Sequence, residues 1–256
     1  MCTLALLLRP DHRWPVIIGT NRDELVSRAW KPPGRHWPAR PAVFGGVDLE
    51  RNGTWLAMND ANVMAMLLNR PVPDPLTPGY RTRGDLPLLA LDHDSAIDAA
   101  AAVMQLDAGQ WKPFNLVIAD RDTAIWIRAQ GTLTQHRFPT GLSLLANGEL
   151  NAMSHARIGT YRPLFERAAA PDPDRDRWQE WAQLLGQTPV PGGATDTGMV
   201  IPVDHRGFGT VSSTMLAIPA DPGTRPAWKF APGPPDQRLF ASVSTGSSGP
   251  GYRVSR

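Results

Sequence analysis

The chain has 256 residues, which is enough for one large domain or two small ones. Apolar residues make up 42% of it and charged residues 20%, as in ordinary soluble globular proteins. The formal net charge is +2, and no basic segment is interleaved with aromatic residues, so we do not expect a nucleic acid partner.

Cysteine and histidine are too sparse for most metal and redox sites. The single cysteine, Cys2, excludes an internal disulfide and excludes cysteine-rich zinc or iron–sulfur sites. The six histidines are scattered and form neither an HxxxH pair nor a CxxCH haem-attachment motif. We therefore predict no metal site, the alternative being a site built from residues distant in the sequence. We also expect no required cofactor.

No hydrophobic stretch reaches the roughly 20 apolar residues that a membrane span needs. The apolar run at residues 3–8 has no basic region before it and is closed by Arg9 and Pro10, unlike a secretion signal. We expect a cytoplasmic protein without an integral membrane segment. The sequence carries no signature of the oligomeric state.

The first third of the chain is predicted to form strands. Residues 3–8 and 14–19 are apolar runs joined by a short polar turn, a pattern typical of a β-hairpin. Residues 21–24 follow the second run, so we place them at the strand end or in the loop beyond it. Residues 30–42, rich in Pro, Trp and Arg, are interpreted as an ordered loop. Further strands are predicted at residues 43–47, 53–59 and 63–69.

Helical and strand patterns alternate through the rest of the chain. Helices are predicted at residues 85–91, 94–106, 156–169 and 175–185, the second of them capped by Asp94 or Ser95. Strands at residues 114–119, 123–129, 133–138 and 142–146 are interpreted as an antiparallel meander, and more strands follow near 210–218, 227–230 and 239–243. The tail from about residue 245 to 256 is expected to be loosely ordered.

No break in composition marks a domain boundary, so residues 1–256 are predicted to form one domain. The order of strands and helices favours an α+β fold in which two antiparallel sheets carry helices on their outer faces.

The position of the cysteine is the first indication of chemistry. Aminopeptidases remove Met1 when the next residue is small, and this would leave Cys2 with a free α-amino group and a thiol. An α-amine has a pKa of about 7.7–8.0, so its neutral form can accept the thiol proton near neutral pH. This is the logic of N-terminal nucleophile hydrolases. The alternative is that the cysteine is simply a small buried hydrophobic residue.

The polar segment at residues 21–24 contains side chains that such a nucleophile requires. Asp23 can accept a hydrogen bond from the α-ammonium group, and Arg22 can favour the thiolate electrostatically. The hairpin would bring this segment beside Cys2. The alternative is an exposed turn in which Arg22 and Glu24 are solvated.

Met1-Cys2-Thr3, followed by Asn21-Arg22-Asp23-Glu24, resembles the NRDE family, also called the Transport and Golgi organisation 2 family. The other matching motifs, in family order, are Gly45-Gly46, Gly53-Thr54-Trp55-Leu56, Asn69-Arg70, Arg83-Gly84, Phe114-Asn115-Leu116, Leu145-Ala146-Asn147 and Gly209-Thr210 with Ser212-Ser213-Thr214. The resemblance implies a four-layer αββα fold of the N-terminal nucleophile hydrolase type.

The chain also resembles, more weakly, the choloylglycine hydrolase and penicillin V acylase group. Their motif Gly-Arg-Asn-x-Asp overlays residues 19–23, which implies that Asp23 holds the nucleophile's amine. On this overlay their arginine falls on Thr20, while Arg22 lies two places later and reaches the thiol if the strand continues.

The resemblance further implies a set of asparagines around the nucleophile. Asn147 matches the oxyanion donor by its order in the chain, and Asn59 or Asn69 would supply a second donor. Asn21, Asn59 and Asn69 are the candidate substrate-binding residues. The alternative for these asparagines is a turn in which the side chain bonds its own backbone.

Two functions follow from the resemblance, and a third alternative is a housekeeping protein that acts through a partner surface, which no feature of the sequence identifies. The first is a hydrolase in which Cys2 attacks a linear amide or related acyl substrate, assisted by Asp23, Arg22 and Asn147. The second is a non-catalytic protein that binds haem, a lipid or an acyl-CoA, because relatives have been connected with such ligands. Haem is thus a candidate ligand and not a required cofactor. A late arginine of the amidases has no clear counterpart here, since the chain reads Gly209-Thr210-Val211-Ser212 where family relatives tend to have Gly-Thr-Arg-Ser.

Overall fold

A computed structural model describes residues 2–72, 79–189 and 197–245. The strands in this part of the chain are β1 (Thr3–Leu8), β2 (Val16–Leu25), β3 (Trp30–Gly34), β4 (Phe44–Asp48), β5 (Leu56–Met58), β6 (Met64–Asn69), β7 (Phe114–Ala119), β8 (Ala124–Gln130), β9 (Thr132–Arg137), β10 (Gly141–Leu145), β11 (Phe208–Ile218), β12 (Ala227–Ala231) and β13 (Ala241–Ser242). The α-helices are α1 (Asp85–Ala90), α2 (Ala96–Val103), α3 (Ala156–Arg167) and α4 (Gln179–Leu185).

The strands form two antiparallel sheets. The first sheet has the order β10-β1-β2-β11-β12-β13, and the second has the order β3-β4-β5-β6-β7-β8-β9. Neighbouring strands of the second sheet follow one another along the chain. At the centre of the first sheet, by contrast, β2 from the N-terminal part pairs with β11 from the C-terminal part.

Three apolar layers hold these elements together. Leu4 and Leu6 of β1 pack against Met64 and Met66 of β6 between the two sheets. The outer face of the second sheet is covered by α1 and α2, and that of the first by α3 and α4. Alternate strand residues point to opposite faces, so Ala5 of β1 packs under the helices. The predicted four-layer αββα fold is confirmed.

Residues 21–24 form the end of β2, which is one of their two predicted placements, because β11 pairs with β2 along its whole length. Two other local predictions were wrong, each because tertiary pairing prevailed over local pattern. Part of the presumed loop at residues 30–42 pairs with β4 as strand β3. The strand β10 leaves the presumed meander and pairs with β1 in the other sheet.

The helix ends agree with the sequence more closely. Ser95, one of the two predicted caps, accepts a hydrogen bond from the backbone N–H of Asp98 at the start of α2.

Most of the presumed loose tail, residues 246–256, lies outside the described residues. Within the described ranges, no helix combines the length and the apolar character needed to cross a membrane.

Candidate active site at the start of the first strand

Strand pairing places Cys2 beside the polar end of β2. Thr3 of β1 lies opposite Asn21 of β2, so the chain brings Cys2 next to Arg22 and Asp23. The Cys2 Sγ atom lies 3.4 Å from the backbone nitrogen of Asp23, which donates to it, and 3.7 Å from the Asp23 carbonyl oxygen. The predicted hairpin therefore joins the cysteine to the charged segment.

The side chains of this strand pair divide between two faces of the sheet. Asp23 points toward the helix layer, where it meets Arg157 of α3. Arg22 points toward the second sheet, where its guanidinium carbon lies 4.2 Å from the centre of the Trp55 ring. Because neighbouring strand residues alternate, the carboxylate and the guanidinium approach the cysteine from opposite sides.

Asp23 belongs to a fully buried polar cluster. Its Oδ2 atom lies 3.3 Å from Nη1 of Arg157, and its Oδ1 atom accepts a hydrogen bond of 2.6 Å from the Thr210 hydroxyl. Arg157 also donates to the Thr3 hydroxyl at 2.5 Å. Both charged side chains are 0% exposed. Burial of two charges is tolerated only where they are paired and hydrogen-bonded, as they are here.

Arg157 was not identified as a site residue from the sequence. It stands in the first turn of α3, and nothing in the spacing of that helix distinguishes it from a solvated arginine. Only the packing of α3 on the first sheet brings it to Asp23.

Arg22 is held at the cleft by an aromatic ring and by burial. Its side chain is 6% exposed, and its nearest carboxylate oxygen, on Glu24, is 3.9 Å away. Its Nη1 atom is buried and has no hydrogen-bond partner among the described residues. A cation stacked on Trp55 with an unused donor is placed to stabilise negative charge at the cysteine.

A cleft of about 270 Å³ opens between the two sheets at this point. Its lining consists of Cys2, Arg22, Asp23, Glu24, Arg28, Asp48, Arg51, Thr54, Trp55, Leu67, Asn69, Tyr80, Arg81, Thr82, Arg83, Gly84 and Lys112. The volume lies near the lower end of the range of small-molecule sites, which starts at about 300 Å³.

The thiol is half-buried in this cleft, and its environment acts on its acidity in both directions. Burial raises the pKa of Cys2, and the nearby Asp23 carboxylate raises it further. The hydrogen bond from the Asp23 backbone and the charge of Arg22 both lower the pKa of Cys2, but the net direction is upward. With Met1 in place, the thiol is therefore a weak acid that requires a base to become a nucleophile.

Comparison with known proteins identifies the family to which the chain belongs. The family described as Transport and Golgi organisation 2 matches residues 1–223. The chain belongs to this family. Comparison with curated protein sequences finds no match.

Solved structures show the fold of this Transport and Golgi organisation 2 member. A Caenorhabditis elegans ortholog of N-acylethanolamine-hydrolyzing acid amidase is 12% identical, with a TM-score of 0.56 over 87% of this chain and 94% of that one. Two variants of the conjugated bile acid hydrolase from Clostridium perfringens are each 11% identical, with TM-scores of 0.53 and 0.54 over 100% and 99% of this chain and 97% of theirs. The fold is that of the N-terminal nucleophile hydrolases.

The predicted asparagines do not all lie in the cleft of this family member. Asn21 is fully buried, and its amide nitrogen donates to the carbonyl oxygens of Leu185 and Met199. Asn59 donates to the carbonyl oxygens of Leu91 and His93. Both asparagines hold loops against the sheets. Neither lines the cleft of about 270 Å³, but Asn21 lines a smaller cavity of about 10 Å³ that also contains Cys2. Their hydrogen bonds show a structural role, and their contact with substrate stays a prediction.

Asn69 and Asn147 fit the prediction to different degrees. Asn69 ends β6, is exposed and lines the cleft. Asn147 follows β10, and extending the β1–β10 register by two residues would place it opposite Cys2. However, Asn147 does not line the cleft, and its Oδ1 atom lies 3.0 Å from Nε2 of His155. Its amide nitrogen forms no hydrogen bond with another described residue.

The departure from the family's Gly-Thr-Arg-Ser pattern lies at an irregularity of the first sheet. The register of β11 on β2 shifts between Thr210 and Ser212, and the intervening Val211 is buried. Cations near the cysteine come from other elements instead: Arg22 and Arg83 line the cleft, and Arg157 lies behind Asp23.

The described residues contain no group of three or more His, Cys, Asp or Glu side chains that could hold a metal ion. The cleft lining includes one cysteine, no histidine and one tryptophan, Trp55. Seven of the other tryptophans are buried in the apolar layers.

Proposed function

We propose that this protein is an N-terminal-cysteine hydrolase that cleaves a linear amide or a related acyl bond after removal of Met1. One observation carries the proposal. The single cysteine opens onto a cleft at the start of β1, while a buried carboxylate, Asp23, is fixed beside it by Arg157 and Thr210. The family membership and the fold support the same chemistry.

The proposed reaction uses the amine of Cys2 as its base. The neutral α-amine takes the thiol proton, and the thiolate attacks the carbonyl carbon of the substrate. The electrons of the C=O bond move to oxygen and then return, which expels the amine product with the proton from the α-ammonium group. Water then attacks the resulting thioester, gives a proton to the α-amine and releases the acid, which restores the thiol.

The charged neighbours have separate roles in this scheme. Asp23 faces the helix layer and not the thiol, so its carboxylate is suited to orient the main-chain amine. Arg22 lies on the thiol side and favours the thiolate and the developing oxyanion. Asn69 and Asn147, with a backbone N–H, are the proposed further donors to that oxygen.

The intact mass of the protein and a burst assay test the proposal. Loss of one methionine from the intact mass is expected, followed by a burst of amine from a chromogenic linear amide, with about one equivalent released per active thiol. Cys2→Ala should abolish the burst. A chain with one alanine inserted between Met1 and Cys2 is the matched control, because it keeps the thiol but blocks its amine, and it should be inactive. Turnover by a chain that retains Met1 would overturn the mechanism.

The non-catalytic alternative makes the opposite prediction. A protein that only binds haem, a lipid or an acyl-CoA needs no free α-amine, so the alanine insertion would leave binding intact. Cys2 is a ligand type that haem iron accepts. A haem titration of the wild type and Cys2→Ala, followed by absorbance, tests that ligand directly, and no spectral change in either chain would exclude it.

A further inference from the structure

Charged side chains dominate the cleft, and its carboxylates are already occupied. Asp23 lies 3.3 Å from Arg157. Glu24 and Asp48 lie 3.8 and 2.6 Å from Arg28. The three carboxylates of the lining are therefore paired with two arginines, and Arg22, 3.9 Å from Glu24, supplies the third positive charge.

Four further cationic side chains line the same cleft, and none of them pairs with a carboxylate of the described residues. Arg51, Arg81, Arg83 and Lys112 form no ion pair within 4.0 Å with any carboxylate in the described ranges. Arg22 adds a buried donor at the thiol end. The lining thus has an excess of positive charge that the described part of the chain does not balance.

Three of these cations form one wall of the cleft, defined by Arg81, Arg83 and Lys112 and called the cationic wall below. The backbone N–H of Arg81 donates to the Gln110 carbonyl at 2.9 Å, and the Arg83 side chain donates to the Pro113 carbonyl at 2.8 Å. These bonds join the segment of the two arginines to the segment of Lys112.

Aromatic and backbone contacts fix the wall further. The Arg81 guanidinium carbon lies 4.8 Å from the centre of the Trp111 ring. The backbone N–H of Thr54 donates to the Gly84 carbonyl at 3.0 Å across a close crossing of two chain segments. A Cβ atom at Gly53 would lie 2.6 Å from the carbonyl carbon of Gly84, so the crossing needs glycine there. These contacts fix the backbone of the wall and the side chains of Arg81 and Arg83, while Lys112 adds a charge without a hydrogen bond to a described residue.

From these observations we infer that the substrate carries an anionic group, a carboxylate or a phosphate, which the cationic wall binds while the scissile carbonyl lies at Cys2. Guanidinium groups present paired donors that match both anions. The cleft of about 270 Å³ is small for a ligand site, so the anionic group and the reacting bond lie close together. The substrate class rests on the proposed function, whereas the anion site itself does not.

The single cysteine makes a direct test simple. Iodoacetate and iodoacetamide alkylate a thiol in the same way but differ in charge, and Cys2 is the only thiol. The rate constant for iodoacetate divided by that for iodoacetamide is measured in the folded chain and in the same chain unfolded in urea. Electrostatic focusing predicts a ratio at least about tenfold higher in the folded chain. Added salt should reduce it.

Charge-removing variants locate the effect. Arg83→Gln, Arg81→Gln and Lys112→Gln should each lower the ratio toward the unfolded value, and Arg137→Gln, an exposed residue of β9 that lines none of the described cavities, should leave it unchanged. The Lys112 side chain makes no hydrogen bond with a described residue, so its variant remains informative if Arg83→Gln does not fold. Equal ratios in the folded and unfolded chains, or a ratio unaffected by all three wall variants, would overturn the inference.

Competition identifies the anion. Inorganic phosphate and propionate are compared for their ability to slow alkylation by iodoacetamide. The anion that protects at lower concentration indicates whether the cationic wall binds a phosphate or a carboxylate. Protection by neither counts against the site.

The anion site and the hydrolase fail in different ways. An iodoacetate preference without amide cleavage would leave the anion site standing and remove the proposed function. Equal kcat/KM for an anionic amide and its neutral isostere, with no iodoacetate preference, would remove the anion site and leave the hydrolase.

Discussion

The buried pair of Asp23 and Arg157 offers the sharpest test of how this site is held together. Replacing Arg157 by methionine keeps much of the side-chain volume but removes the charge. Asp23, 0% exposed, would then lose the guanidinium 3.3 Å from its Oδ2 atom and keep the Thr210 hydroxyl on Oδ1. Loss of the opposite charge leaves the buried carboxylate less well stabilised.

The expected cost follows from this geometry. Breaking a buried ion pair by removing one partner costs about 3–5 kcal/mol, because the remaining charge stays buried and loses the opposite charge. The stability of a whole domain is only about 5–15 kcal/mol, so Arg157→Met should lower the urea midpoint strongly. The double variant Asp23→Asn/Arg157→Met leaves no unpaired charge and should recover part of the loss.

Urea unfolding followed by circular dichroism measures both effects. The matched control is Arg162→Met on the same helix, since Arg162 pairs with Glu166 at 2.9 Å while both side chains are partly exposed. Exposed pairs at this spacing contribute about 0.3–0.5 kcal/mol. If Arg157→Met costs no more than Arg162→Met, the pair does not hold the site and the reasoning fails.

Two further predictions concern the thiol and the asparagines. The Asp23 carboxylate disfavours the thiolate, so Asp23→Asn should lower the pKa of Cys2 and move the pH dependence of iodoacetamide alkylation to lower pH; an unchanged or higher midpoint would contradict this. Asn21→Ala leaves two buried carbonyl groups without a donor and should cost about 1–3 kcal/mol in urea unfolding. Asn69→Ala, at an exposed cleft position, should stay within about 0.5 kcal/mol of the wild type but lower amide turnover, and a reversed order of the two variants would refute their assignment.

Local patterns in the sequence determined much of the fold. Residues 3–8 are apolar at nearly every position because β1 is covered on both faces, and this pattern predicts a buried strand. The helices α1 and α2 and the strands β6 to β9 lie near their predicted bounds for the same reason, since burial leaves a periodic trace. The position of Cys2 after Met1 is a property of the sequence itself, and the proposed nucleophile chemistry was inferred from it without any knowledge of the fold.

Other parts of the site depended on tertiary contacts that no local pattern carries. The contact of Asp23 with Arg157 joins residues 134 positions apart, and the cationic wall joins segments near residues 81 and 112. The polar end of β2 resembles a turn in the sequence and became a strand because β11 and the buried partners of Asn21 and Asp23 satisfy its polar groups. Hydrophobic periodicity reports which face of an element is buried, but it does not report which distant element covers that face. The sequence therefore located the cysteine, and the packing of sheets and helices decided which charges surround it.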